Sequence, residues 1–143
     1  MKHTDIKTLY AETKEYVGKE VTVCGWVRTS RDSKAIAFIE INDGTAFKNM
    51  QLIADKDKIS EELLKKAMPV GTAVKATGKF VESDKNGCEV QLKGIEIFGE
   101  CPTDYPLQKK RHTLEFLRSI PHLRVRTRYF EAVFAVRDAL SHA

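Results

Sequence analysis

Between residues 20 and 99, apolar side chains recur at every second position in several separate runs, and a period of two is the signature of strands rather than helices. In the first run Val21, Val23, Gly25 and Val27 alternate with Thr22, Cys24, Trp26 and Arg28. Residues 35–42 (AIAFIEIN) form a second run, closed by the turn signal Asn42-Asp43-Gly44-Thr45. Residues 46–54 (AFKNMQLIA) read as a third strand. The period then changes. Residues 57–67 place Ile59, Leu63 and Leu64 on one side among charges, which predicts an amphipathic helix of about three turns, ended by Pro69 and Gly71. In a fourth strand Val74, Ala76, Gly78 and Phe80 alternate with Lys75, Thr77 and Lys79. Ser83-Asp84-Lys85-Asn86-Gly87 predicts a hairpin loop, and residues 88–98 a fifth strand. The parity of that last strand slips at Gly94, from Val90 and Leu92 to Ile95 and Ile97, which predicts a β-bulge.

Five strands with one helix between the third and fourth predict a mainly β chain folded as an OB-fold, a small Greek-key barrel. Ile6, Leu9 and Tyr10 have the spacing of a short helix ahead of Gly18. Residues 100–108, with two prolines, read as a linker. Beyond it Phe130, Val133, Phe134, Val136 and Leu140 fit a helical stripe that runs to Ala143 without a cap.

Strand parity also separates core from surface. Ala37, Ile39 and Ile41 share one face with Met50 and Leu52 to match, and this face is expected to be core. Ile36, Phe38 and Glu40 face the other way, as do Asn49 and Gln51, while Trp26 and Arg28 oppose the valines of the first strand and Arg31 falls where that strand should meet its loop. Such a face offers an aromatic ring, amides and arginines, the groups that hold single-stranded bases by stacking and by edge hydrogen bonds. The same pattern also admits Phe38 as the plug of a second small core, against the N-terminal helix.

Charge adds a restriction. Residues 1–106 hold 16 Lys/Arg and 17 Asp/Glu, whereas residues 107–143 hold 8 and 3, so the positive charge sits in the tail. A basic tail suits either a solvated helix or a nucleic-acid contact. No apolar run is long enough to span a bilayer and residues 1–20 lack the apolar core of a signal peptide, so neither a membrane nor an export route is expected. Cys24, Cys88 and Cys101 are odd in number and have no metal-ligand spacing, which argues against a disulfide framework or a zinc site and for a reducing cytoplasm. His3, His112, His122 and His142 form no catalytic spacing with a nucleophile, and no catalytic residue is assigned.

Residues 21–32 (VTVCGWVRTSRD), then Phe38-Ile39, Asn42-Asp43-Gly44 and Gln51, resemble the opening signature of the class II aminoacyl-tRNA synthetases for Asp, Asn and Lys. Residues 105–118 (YPLQKKRHTLEFLR) and 121–127 (PHLRVRT) are similar to the linker of the bacterial-type asparaginyl enzymes and differ from the corresponding aspartyl and lysyl phrases. The resemblance covers about residues 16–143. It implies an anticodon-binding OB domain over 1–100, a hinge over 101–127 and, over 128–143, the motif-one helix that opens the catalytic domain and builds the enzyme's homodimer. It also implies that Arg31, Phe38 and Gln51 bind the anticodon loop of tRNA(Asn), the aromatic stacking on a base and the Arg and Gln reading the central uridine. Glu89 matches a family glutamate near the anticodon, and Arg28, Lys85 and Asn86 are candidates on the same side. The intact enzyme would use ATP and Mg²⁺, but the arginines of motifs two and three that bind ATP, and the proline closing motif one, have no counterpart here, so no cofactor is assigned to this stretch. A stand-alone OB module for single-stranded nucleic acid, an adaptor, and an aspartyl or lysyl relative remain the alternatives.

Overall fold

The computed structural model describes residues 2–84 and 86–143. The elements run in the order α1 (Ile6–Ala11), α2 (Thr13–Tyr16), β1 (Glu20–Asp32), β2 (Ile36–Asn42), β3 (Met50–Asp55), α3 (Glu61–Ala67), β4 (Ala73–Ser83), β5 (Gly87–Gly99), α4 (Leu114–Ser119), α5 (Pro121–Arg124) and α6 (Arg128–Ser141). The strands close a barrel in the order β1-β2-β3-β5-β4, β4 pairing back onto β1. All pairings are antiparallel except β3 with β5. Two compact units result, Met1–Pro106 and Leu107–Ala143.

Alternation put the core where the period predicts. Val21, Val23, Val27, Ala37, Ile39, Ile41, Met50, Leu52, Val74, Phe80 and Val90 are all buried. Ile6 and Leu9 of α1 join them with no exposed surface. The first turn of α1 is not capped by its own N-cap residue, Asp5. Instead the β2–β3 turn supplies the acceptors: Ile6 N–H donates to Asp43 Oδ2 at 2.8 Å and Lys7 N–H to Thr45 Oγ1 at 3.1 Å. One turn thus closes a hairpin and satisfies two of the free helix donors.

The predicted bulge in the fifth strand is present. Thr77 pairs with Gly94 and Gly78 with Leu92, leaving Lys93 as the extra residue. Gly78 lies against this irregularity, and a Cβ there would overlap the Gln91 carbonyl. A side chain is therefore excluded by contact and not by backbone conformation.

Three boundaries differ from the sequence reading. The third strand begins at Met50, not at residue 46, because Asn42 Nδ2 donates to the Ala46 carbonyl at 2.8 Å and holds the intervening residues in a turn that leaves Phe47 exposed. The helix after β3 begins at Glu61, where Ser60 Oγ accepts from Leu63 N–H at 3.3 Å. Residues 55–58 are instead a turn stapled by Asp55, which accepts from Asp57 N–H and pairs with Lys58. Finally, β1 continues to Asp32 and contains its own irregularity, since Val27 pairs with Ile41 but Thr29 with Glu40, leaving Arg28 opposite no β2 residue.

The second unit is helical. Thr113 caps α4 by accepting from Phe116 N–H at 3.2 Å, and His112 stacks on Phe116. In α6, Phe130 is buried beneath the Arg124 guanidinium, 4.9 Å from its ring centre. Tyr129, Val133, Phe134, Val136 and Leu140 are exposed. No helix among the described residues is long and apolar enough to cross a membrane.

Candidate nucleic-acid interface

The register of four strands sets two rows across the outside of the barrel wall. Arg31, Phe38 and Ile53 lie opposite one another on β1, β2 and β3, with Gln91 next on β5. In the adjacent row stand Thr29, Glu40, Gln51 and Glu89. These positions alternate with Ala37, Ile39, Leu52 and Val90, which are buried, so the two rows must point outward.

Phe38 is half-buried and stands outside the hydrophobic core. Its ring carries the Arg31 guanidinium, 4.8 Å from the ring centre. A cation over an aromatic face at an exposed site contributes about 0.5–1 kcal/mol. That modest figure makes the ring a surface a base can take over, since a base stack contributes about 1–3 kcal/mol. Beyond Phe38 the wall falls into a depression of about 390 Å³ lined by Ala35, Ile36, Ile53, Gln91 and Leu92, among others.

The second row is a hydrogen-bonded chain. Gln51 Nε2 donates to Glu89 Oε2 at 3.3 Å, and Asn86 Nδ2 donates to Gln51 Oε1 at 2.9 Å. Beside it, Asn49 Nδ2 donates to Glu40 Oε2 at 2.9 Å and Asn42 Nδ2 to Asn49 Oδ1 at 3.2 Å. The loop carrying Asn86 is tied down from the other side. Lys48 Nζ donates to the Asn86 carbonyl at 2.7 Å while sitting 4.6 Å from the ring centre of Tyr10. The Tyr10 hydroxyl donates to the Asn49 carbonyl at 2.7 Å. Burial, with smaller contributions from Cys88 and Glu40, pushes the Tyr10 phenol up to about 12. A raised phenol favours the neutral form in the fold, so this donor is fully present below the ordinary tyrosine range and is lost only as pH rises towards 12.

Of the residues singled out from sequence, Arg31, Phe38, Gln51, Glu89 and Asn86 are brought together on this wall. Arg28 is the extra residue of the β1 irregularity, next to Thr29 of the second row and opposite no β2 residue. Lys85 lies outside the described residues. Sequence reading missed Tyr10 and Lys48. Tyr10 carried only a helical period and Lys48 was read within a strand, and no local signal marks a contact between residues 38 apart in the chain. Among the described residues no group of three or more His, Cys, Asp or Glu is placed to hold a metal ion.

A closed five-stranded barrel with a helix between β3 and β4, carrying an aromatic ring, amides and an arginine on one outer wall, defines the class. The chain belongs to the family of OB-fold nucleic acid binding domains, whose model matches residues 21–98. Along its whole length it is similar to the N-terminal region of asparaginyl-tRNA synthetases. It is 51% identical over 147 aligned residues to the asparagine--tRNA ligase of Acetivibrio thermocellus, covering 100% of this chain and 31% of that protein. The asparagine--tRNA ligase of Clostridium kluyveri is 46% identical over 145 residues, with the same shares covered. The chain thus spans about a third of the length of the curated relatives it matches. Among solved structures, asparaginyl-tRNA synthetase from Pyrococcus horikoshii complexed with asparaginyl-adenylate has a TM-score of 0.84 at 23% identity, covering 99% of this chain and 33% of that one, a likeness of fold. An OBody bound to hen egg-white lysozyme matches 70% of this chain with 97% of its own, at a TM-score of 0.55 and 25% identity.

Proposed function

We propose that this chain recognises the anticodon loop of tRNA(Asn) for an asparagine--tRNA ligase, with residues 1–100 as the anticodon-binding domain, 101–127 as a hinge and 128–143 as the opening of the catalytic domain. The observation that carries the reading is the outward pairing of Phe38 with Arg31 beside Gln51 with Glu89. A base stacks on Phe38 by displacing the guanidinium, which frees Arg31 to join Gln51 in reading the central uridine. Gln51 reads the edge of that base, the central uridine of the anticodon. Glu89 and Asn86 stand within the same chain of hydrogen bonds, and Arg28 and Lys85 are further candidates for contacts with the anticodon loop. The whole protein would activate asparagine with ATP and Mg²⁺ and transfer it to the tRNA. In that scheme the barrel docks the tRNA so that its acceptor end reaches the catalytic domain. A cytoplasmic location suits the three free thiols.

The test is binding to an anticodon stem-loop carrying GUU. Weak binding with a steep fall as salt rises is expected, because the tail holding 8 Lys/Arg against 3 Asp/Glu attracts phosphate and counterions are released on contact. Replacing the central uridine by cytidine is expected to weaken binding. Equal affinity for the two loops would refute base recognition.

We also propose that α6 pairs with a second copy in a homodimer. Val136 and Leu140 are 59% and 73% exposed, and an uncovered apolar stripe favours association. A helix of 14 residues is marginal alone in water, since most helical stability comes from packing. Hydrogen exchange in residues 130–140 is expected to slow as concentration rises, in step with dimer formation by sedimentation. Strong protection in a dilute monomer would overturn the proposal.

A further inference from the structure

We infer that Glu89 and Asn86 act as positioning residues that fix which end of the Gln51 amide faces an incoming base, and so set the preference for uracil over cytosine at that position. The inference rests on the proposed role of Gln51 as the reader of the base. A glutamine amide has a donor end and an acceptor end of nearly the same shape, and rotation by half a turn exchanges them. Left free, Gln51 would serve either base.

The geometry removes that freedom. An ionised carboxylate only accepts, so the Gln51 nitrogen must face Glu89, where Nε2 lies 3.3 Å from Oε2. The oxygen then faces Asn86, whose Nδ2 donates to it at 2.9 Å. Asn86 is held in turn through its own carbonyl by the Lys48 ammonium at 2.7 Å. One N–H and one lone pair of Gln51 remain for a ligand. Uracil presents N3–H as donor beside O4 as acceptor, and cytosine presents the reverse, N3 as acceptor beside the N4 donor. For a base held in one place by the Phe38 stack, an amide of fixed polarity satisfies one of these edges and opposes like groups to the other. The discrimination thus arises from two residues that need not touch the base.

A charge-neutral exchange tests this. In Asn86→Asp combined with Glu89→Gln, the carboxylate moves to the other side of Gln51, so the amide should turn over while net charge is unchanged. The experiment compares binding of the 143-residue chain to the GUU stem-loop and to its central-cytidine counterpart, alongside Gln51→Leu. The expected result is a fall of about tenfold or more in the uracil-to-cytosine affinity ratio for the exchange variant, the discrimination carried by one bidentate amide contact, with an unchanged salt slope. The ratio retained in the exchange variant but abolished in Gln51→Leu would overturn the lock while leaving Gln51 as the reader. The ratio retained in Gln51→Leu as well would remove the reader itself, and the lock with it. A second measurement needs no RNA. In the wild-type chain the Gln51 Nε2 protons should show nuclear Overhauser contacts to the Glu89 Hγ protons, and in the exchange variant to the Hβ protons at position 86. Wild-type contacts to Asn86 in place of Glu89 would also overturn it.

Discussion

Phe80→Ala is expected to cost about 3–5 kcal/mol of folding stability, the range for truncating a buried aromatic. Phe80 has no exposed surface, and its backbone joins β4 to the segment before β1, its N–H donating to Lys19 O at 2.9 Å and its carbonyl accepting from Gly18 N–H at 2.8 Å. Those bonds survive the substitution, so the loss measures side-chain packing in the barrel centre. Against a total of about 5–15 kcal/mol for an ordinary domain, this is a large share. It should appear as a fall in Tm of more than about 10 °C. A melt unchanged within a few degrees would mean that the barrel interior repacks around the space.

Phe38→Ala should do the opposite. It is expected to weaken binding of the GUU stem-loop by about 1–3 kcal/mol, the range for one lost base stack, or about 5- to 140-fold. Folding stability should change by about 0.5 kcal/mol, as for a surface position, plus the small cation–π contribution of Arg31. Two phenylalanines on the wall of one barrel thus separate cleanly, one carrying stability and the other carrying binding. Parallel melts and titrations of both variants check this. A Phe38→Ala melt that collapses like that of Phe80→Ala would assign Phe38 to the core and remove the stacking surface from the binding wall.

A period of two over most of residues 20–99 was enough to set the strands and the inward set of side chains, and its break after the third strand to set the helix before the fourth. These depend only on which side of an extended chain each residue leaves, and water sorts the sides by polarity. The bulge near Gly94 was legible for the same reason, as a slip in that period. Phe38 and Gln51 were legible as outward residues, but the period left open whether Phe38 served a second core. The structure answered that by placing the Arg31 guanidinium on its ring.

Arg31 itself shows where local pattern stops. Counted by twos from Val21 it would share the inward face of the valines. The irregularity at Arg28 inserts one residue between the pairs Val27–Ile41 and Thr29–Glu40, and every later side chain changes sides. That bulge is set by closure of β1 onto both β2 and β4, which no stretch of β1 encodes alone. Likewise only the parallel pairing of β3 with β5 puts Glu89 beside Gln51, and only the fold of the N-terminal helix onto the β2–β3 connection puts Tyr10 under Lys48 and Lys48 against the Asn86 carbonyl. The sequence by itself determined the residue types and, outside the end of β1 beyond its bulge, the face each strand offers. The tertiary structure decided which of those faces meet, because contacts between residues more than 35 positions apart form only when the barrel closes.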